Sequence, residues 1–364
     1  MKTLSAVLFE PHKPVIIEEL ELQDPKENEV LVKLVGAGIC HSDYHYVDGH
    51  IKPGNLPLVL GHEGSGIIEK IGSSVKSVSP GDKIIFSMDA MCGFCRNCTN
   101  GLPTLCTTYG RTVTMPDGTT RFSKNNTPVY QSNGVGTYSE KTVVPEDTVV
   151  KVSDDTPLEK ACLIGCAVIT GIGSVINRAK VEKGSNVAVF GCGGVGLNVI
   201  QGSVFSSASI IIAVDTNEFK LKKAVEMGAT HTINPDKDNP VEAIIDITHG
   251  GVDYAFEVVG FPKILNQAFK STSPGGTAVM VGVQPPDAKI SVDCFDLLMD
   301  RSLIGAYHGT AKPRIDFQWL LDLYKTGRLN LDGLISKQRP LSEVNEAFED
   351  MNAGKVARSI LNFD

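Results

Sequence analysis

The stretch Gly191-Cys192-Gly193-Gly194-Val195-Gly196 constrains this 364-residue chain more than any other. It follows the apolar run Asn186-Val187-Ala188-Val189-Phe190 and opens a segment that reads as helix to about residue 206. Between a strand and a helix, the first glycine of G-x-G-x-x-G permits a tight turn. The second lets backbone approach a pyrophosphate, and the third lets the helix pack on the strand. The free N–H groups of the helix start then face the phosphate oxygens. Taken alone, such glycines also fit an ordinary turn. A second apolar run, Ile210-Ile211-Ile212-Ala213-Val214, leads to Asp215 about 20 residues on, where a ribose-binding acid is expected. The two features together predict a dinucleotide-binding fold.

The rest of the chain divides around this motif. Residues 1–150 carry short strand-like runs, among them Val15 to Leu20 and Glu29 to Val35, broken by turns such as Val78-Ser79-Pro80-Gly81-Asp82. No helical period persists there, and a β-rich barrel is expected. Residues 107–135 are polar and read as one long loop. From Leu158 the rhythm changes to helix alternating with strand. A helix over 158–177 leads to the glycine motif, and the alternation continues to a strand over 277–283, which implies a doubly wound parallel sheet. Helices over 316–324 and 341–352 and a strand over 358–363 are expected to fold back on the first domain. The fold class is therefore α/β, with a discontinuous β-rich barrel domain over 1–167 and 308–364 and a Rossmann doubly wound domain over 168–307.

Net charge is −8 and no lysine–arginine block stands out, which argues against nucleic acid and anionic membrane as partners. No stretch approaches the roughly 20 apolar residues of a membrane helix, and Pro11 ends the apolar start too early for a signal peptide. A cytoplasmic location is expected. Nine cysteines in such a chain point to metal rather than to disulfides. Cys92, Cys95 and Cys98 recur every third residue and Cys106 follows, so four thiolates converge as in a closed, structural zinc site. The alternative is free cysteines in a glycine-rich loop. Cys162, Cys192 and Cys294 read as small buried hydrophobes. Cys40, His62 and Cys166 are candidates for a second metal site, but spacing alone does not connect them.

The chain resembles the zinc-dependent medium-chain alcohol dehydrogenases over essentially its whole length. The matches are Gly38-Ile39-Cys40-His41-Ser42-Asp43, Gly61-His62-Glu63-Gly64, the four-cysteine comb, Leu163-Ile164-Gly165-Cys166, the glycine motif with Asp215, and Val281-Gly282-Val283. The resemblance implies a catalytic zinc on Cys40, His62 and Cys166 with one open position, and a structural zinc on Cys92, Cys95, Cys98 and Cys106. Zinc then acts as Lewis acid on an alcohol oxygen while hydride passes to NAD. Ser42 and His45 match the family's proton relay, which runs through the cofactor ribose. Their spacing suits a turn leaving a strand, and without the resemblance they read as a capping serine and an exposed histidine. Asp43 matches the carboxylate that orients His62, and Glu63 matches an acid beside the zinc.

For the cofactor, the resemblance assigns Gly191, Gly193, Gly194, Val195 and Gly196 to the pyrophosphate turn. Asp215 falls on the adenosine ribose, where it repels a 2′-phosphate and favours NAD over NADP. Lys220 falls near the same ribose, though it also fits a solvated helix charge. His41 stands where many relatives carry a phosphate-binding arginine, and Arg358 matches an arginine that reaches the pyrophosphate. Thr170 and Val281 align with contacts to the nicotinamide, or else pack within the fold.

A small-molecule alcohol or carbonyl is the expected partner. Met88, Ile51 and Ser132 are expected to face its cleft, which suggests an apolar substrate. Met115-Pro116-Asp117-Gly118-Thr119 resembles a loop of the glutathione-dependent formaldehyde branch. The acids that branch carries after the relay segment are missing from Asp48-Gly49-His50-Ile51-Lys52-Pro53-Gly54, and Arg111 is near its arginine without a clean alignment. A reductase of activated double bonds and a non-catalytic NAD-binding protein are further alternatives. Both predict a loss of relay or zinc residues. A homodimer through an edge strand near Leu303-Ile304-Gly305-Ala306-Tyr307 is expected, with a tetramer as the alternative.

Overall fold

The computed structural model describes residues 1–109 and 112–363, so Arg111, weighed above for glutathione recognition, lies outside the described residues. The chain forms two units: Met1–Cys166 with Lys312–Asp364, and Ala167–Ala311.

In the first unit the central strand is Glu29–Gly38, whose sequence EVLVKLVGAG is apolar nearly throughout and almost wholly buried. It pairs antiparallel with Gly64–Ile71 and with Lys141–Pro145, and its last residues pair with the C-terminal strand Arg358–Asn362. The sheet runs Val149–Lys151, Lys83–Phe86, Gly64–Ile71, Glu29–Gly38, Arg358–Asn362, Ile335–Pro340. Ile360 lies opposite Gly38, so the end of the chain is built into the same sheet that delivers Cys40. A small closed barrel of Lys2–Leu8, Ile16–Leu22, Phe122–Lys124, Thr127–Gln131 and Leu58–Val59 completes the β-structure of this unit. Ala6, Leu8, Ile39, Leu60, Tyr138 and Phe348 share one core cluster. Each large side chain buried there stabilises the unit by roughly 1.5–3 kcal/mol.

The structure corrects three expectations in this unit. Residues 107–135 are not one loop, because the barrel hairpin Phe122–Lys124 and Thr127–Gln131 lies inside them. Its turn residues Asn125 and Asn126 both adopt positive φ, at 50° and 63°, the geometry of a two-residue hairpin turn. Ser42 and His45 sit not on a turn but in the helix His41–Val47, where a spacing of three puts both on one face. The helix expected over 158–177 breaks at Cys166, which leaves helical geometry at φ −142° and ψ −74°.

In the second unit six parallel strands are ordered His231–Ile233, Ile210–Val214, Asn186–Phe190, Val252–Glu257, Thr272–Met280, Ser302–Gly305. The chain starts at Asn186–Phe190, moves outward on one side, then returns to the other. The order therefore reverses between Asn186–Phe190 and Val252–Glu257, where doubly wound sheets bind ligands at the strands' carboxyl ends. Strand Thr272–Met280 stops before Val281. Among the described residues, no single helix is long and apolar enough to cross a membrane.

Candidate active site and metal centres

The first unit gathers two groups of metal-ligating side chains. One ligand atom from each of Cys40, His62, Glu63 and Cys166 lies within 4.8 Å of the others, and all four residues are buried. Each arrives from a different local structure. Cys40 ends the central strand's extended run and is the N-cap of His41–Val47, at φ −128° and ψ 147°. His62 follows Gly61, whose φ of +93° re-aims the chain into strand Gly64–Ile71. Cys166 occupies the break between two helical segments.

Hydrogen bonds fix the ring of His62. Its Nδ1 stands 3.0 Å from Oδ1 of Asp43, and its Nε2 stands 3.3 Å from Cys166 Sγ. The same Oδ1 accepts the Gly61 N–H at 3.0 Å. With Nδ1 committed to a carboxylate, Nε2 is the atom presented to a metal. Glu63 Oε2 accepts from Nη2 of Arg358, while Glu63 Oε1 is buried with no partner among the described residues.

The electrostatics follow from burial and crowding. Cys166 donating to Cys40, against the cost of burial, holds the Cys40 thiol well below its ordinary value, with His62 helping. Cys166 is pushed up by the same contact and by burial. Burial opposes a charged His62, but Asp43 and Cys40 outweigh it and raise its pKa. Burial pushes Glu63 up to about 7, with Arg358 pulling the other way. Two sulfurs, one imidazole nitrogen and an orphaned carboxylate oxygen in a dry interior are a donor set that fits zinc.

The second group is Cys92, Cys95, Cys98 and Cys106, also within 4.8 Å of one another. Cys92 Sγ lies 3.9 Å from Cys98 Sγ, and Cys95 Sγ lies 3.9 Å from Cys106 Sγ. That is close to the roughly 3.8 Å edge of a tetrahedron with ~2.3 Å zinc–sulfur arms. The Phe94 and Cys95 N–H groups and the Thr108 hydroxyl all donate to Cys92 Sγ, the pattern that stabilises a thiolate. Backbone donation near Cys98 and Thr107 brings Cys95 down to about 5, and burial pushes Cys98 up to about 12. These residues fit a structural zinc.

Around His45 the structure adds residues that sequence reasoning passed over. His45 Nδ1 lies 3.4 Å from Asp48 Oδ2, and its ring stacks on His50 at 4.5 Å. Asp48 also accepts the His50 N–H at 2.9 Å. Tyr138 is fully buried, and its hydroxyl lies 3.0 Å from both Asp43 Oδ2 and the Gly38 carbonyl. Burial, then Asp43 and Cys40 beside it, pushes its phenol well above the ordinary value, so it remains a donor. Ser132 is buried with no partner for its hydroxyl among the described residues, whereas Met88 and Ile51 are half-buried.

In the second unit Gly191 has a φ of +98°, and Gly193 is the N-cap of helix Gly194–Phe205. A Cβ on Gly193 meets no atom within 4 Å, so its backbone is open to a ligand, whereas one on Gly196 collides with the Gly191 carbonyl oxygen. Val195 lies in the first turn of that helix. Asp215 Oδ2 accepts the Cys192 N–H at 2.8 Å, and Oδ1 accepts the Asn217 N–H at 2.9 Å. Asn217 in turn caps helix Glu218–Glu226 by accepting from the Phe219 and Lys220 N–H groups. Thr170 is half-buried in helix Ala167–Gly173. The Val281 N–H donates to the Glu257 carbonyl at 2.8 Å. Cys162 and Cys192 are buried, but Cys294 is exposed. It opens a surface helix, Cys294–Leu298, that Asp293 caps, so it does not pack as a hydrophobe.

Known proteins resemble this chain in sequence and fold. Residues 26–154 match the alcohol dehydrogenase GroES-like domain, and residues 194–326 match the zinc-binding dehydrogenase domain. A class-3 alcohol dehydrogenase of Dictyostelium discoideum is 40% identical over 368 residues, covering 98% of this chain and 97% of that protein. An S-(hydroxymethyl)glutathione dehydrogenase of Paracoccus denitrificans is 40% identical over 374 residues, covering 99% of this chain and all of that one. The crystal structure of benzyl alcohol dehydrogenase from Acinetobacter calcoaceticus superposes with a TM-score of 0.95 at 33% identity over the full length of both chains. On these matches, the chain belongs to the zinc-dependent medium-chain alcohol dehydrogenase family.

Proposed function

We propose that this protein interconverts an alcohol and its aldehyde or ketone, with NAD as hydride partner and two zinc ions per chain. The observation that carries the reading is the buried Cys40–His62–Glu63–Cys166 cluster with His62 held by Asp43. Zinc there supplies Lewis acidity to the substrate oxygen, and NAD supplies the hydride acceptor. The chain's own residues do the rest. Asp43 keeps Nε2 of His62 aimed at the sulfur atoms. Ser42 accepts the alcohol's proton as its own hydroxyl proton leaves, and His45, on the same face of the helix and close to Asp48, delivers a proton to solvent. Asp215 reads the ribose and repels a 2′-phosphate. Arg358 is drawn against Glu63, so a role for it at the pyrophosphate comes second to neutralising that acid.

The preferred substrate is an apolar aliphatic or aromatic alcohol. Asp48, the one carboxylate between residues 48 and 54, is turned toward His45 and the His50 N–H and so is engaged already. Oxidation of S-(hydroxymethyl)glutathione is the second reading, because relatives at 40% identity carry that name. We place the protein in the cytoplasm as a homodimer, with a tetramer as alternative. Nine unpaired cysteines suit a reducing compartment. Strand Ser302–Gly305 lies at the sheet edge and presents its outer side to a two-fold partner, with the Gly305 carbonyl already accepting from Arg178 Nε.

An NADH-forming assay with benzyl alcohol, primary and secondary aliphatic alcohols and S-(hydroxymethyl)glutathione separates the substrate readings by kcat/KM. A tenfold preference for the glutathione adduct selects the second. Metal analysis yielding one zinc or none per chain overturns the proposal as a whole.

A further inference from the structure

Tyr138 is a fully buried polar side chain that the mechanism above does not use. It follows Thr137, whose N–H donates to the Gly61 carbonyl, and its own N–H donates to the Leu60 carbonyl. The chain on either side of His62 is thereby clamped to the Tyr138 segment. Gly61 makes this approach feasible, since any Cβ there collides with the Tyr138 ring and lies 2.6 Å from Tyr138 N. Phe348 neighbours the ring at a centroid distance of 6.3 Å, but it is the backbone clamp at Leu60 and Gly61 that sets where the ring lies. Its hydroxyl thus has a fixed position, 3.0 Å from Asp43 Oδ2 and 3.0 Å from the Gly38 carbonyl oxygen.

Asp43 is itself fully buried and meets three donors. Two of them, the Gly61 N–H and His62 Nδ1, share Oδ1, which leaves Tyr138 as the donor shown for Oδ2. A phenol has one proton and here faces two acceptors, of which an ionised carboxylate is the stronger. Without that hydroxyl, Oδ2 is a buried charged oxygen lacking a donor. The carboxylate is then free to turn about its own bond and carry the His62 ring with it.

We infer that Tyr138 is a positioning residue for the Cys40–His62–Cys166 metal centre, acting through Asp43 to fix the His62 ligand nitrogen and so to slow metal loss. The inference rests on the zinc reading of that cluster. In it, a chain of contacts from the barrel core through Tyr138, Asp43 and His62 holds the ligand set in place before substrate or cofactor arrives.

The test is release of zinc from the full-length holoprotein into a colorimetric chelator, with Cys40→Ser identifying which phase belongs to this centre. In Tyr138→Phe, which keeps the ring, that phase is expected to be about threefold to thirtyfold faster. The Cys92–Cys106 phase should be unchanged. In Phe348→Leu, which loosens the packing but keeps the hydroxyl, the phase should match the wild type even as Tm falls. As a second readout, the cobalt-substituted Tyr138→Phe protein should show shifted ligand-field bands. An unchanged or slower phase with unshifted bands overturns the inference alone, and so does equal acceleration in Phe348→Leu. A wild-type protein with no phase that depends on Cys40 overturns the zinc reading and the inference together.

Discussion

Arg358 and Glu63 form a buried ion pair that ties the C-terminal strand to the residue next to His62. Both side chains are almost wholly shielded from solvent, at 6% and 0% exposure. Removing one member of such a pair strands the other charge in the interior, at a cost on the order of 3–5 kcal/mol. Arg358→Met should therefore lower the urea midpoint strongly in zinc-replete buffer. Because burial already pushes Glu63 up to about 7, adding Glu63→Gln should restore at least half of the loss. If Arg358→Met unfolds like the wild type, the arginine is not needed for the fold and its cofactor role becomes the primary one.

The glycine motif makes a prediction of its own. The Cα of Gly196 packs on the Gly191 carbonyl, a backbone atom that has no freedom to swing aside. Gly196→Ala should cost about 1–3 kcal/mol in stability through overpacking. It should also weaken NAD binding, because the displaced atom belongs to the turn assigned to the phosphates under the proposed function. Calorimetric titration with NAD measures this. Gly193→Ala is the informative contrast, since its Cβ meets no atom of the described residues within 4 Å. It should leave stability unchanged and weaken only NAD binding.

His41 opens the helix His41–Val47 and is exposed. The family resemblance puts it where many relatives carry arginine for the cofactor phosphate. A guanidinium is charged at every working pH and binds phosphate through two parallel bonds, whereas imidazole is charged only at lower pH. His41→Arg should slow NADH dissociation about tenfold, equivalent to roughly 1.4 kcal/mol. Stopped-flow displacement of NADH reads this directly, and an unchanged off-rate removes His41 from the cofactor site.

The sequence signals and the structure agree where long-range order is written locally. Asn186–Phe190 and Ile210–Val214 are continuous apolar runs because parallel strands are buried on both faces, so they stand out without partners. The hairpin within residues 107–135 did not stand out. Its strands have three and five residues, too few for alternation to show, and one is held by Glu21 and Leu22 about a hundred positions earlier. The pair Asn125-Asn126 was the available clue, since two successive left-handed residues mark a hairpin turn. At the site, Cys40, His62 and Cys166 were visible as residue types, but only the resemblance joined them. Tyr138 carried no signal at all, because its importance depends on a close approach at Gly61. Histidine stacking between His45 and His50 likewise comes from the tight reversal after Val47, not from any motif.

Acid stability provides a test at the far side of the barrel. Arg121 is fully buried and makes a forked contact with Glu29, and its Nη2 also meets Asp117 Oδ2 at 2.8 Å. Asp117 further accepts from Lys26 Nζ at 2.7 Å and from the Thr119 hydroxyl and N–H. Burial alone would raise its pKa, but Lys26, Thr119 and Arg121 outweigh burial and hold the carboxyl well below the usual range. The folded value thus lies below the unfolded value of about 3.9. The unfolded chain then binds the proton more readily, so the contribution is fully present above pH ~4 and is lost as pH falls through the folded value. With the Asp117 side chain 38% exposed, solvent screening reduces the effect to on the order of 1 kcal/mol. Asp117→Asn should be less stable than the wild type at pH 7 and pH 5 by the same margin, and the gap should narrow progressively below pH 4. Urea midpoints at these values measure it. A gap that persists undiminished at pH 3 would show that Asp117 acts through its hydrogen-bonding shape and not through its charge.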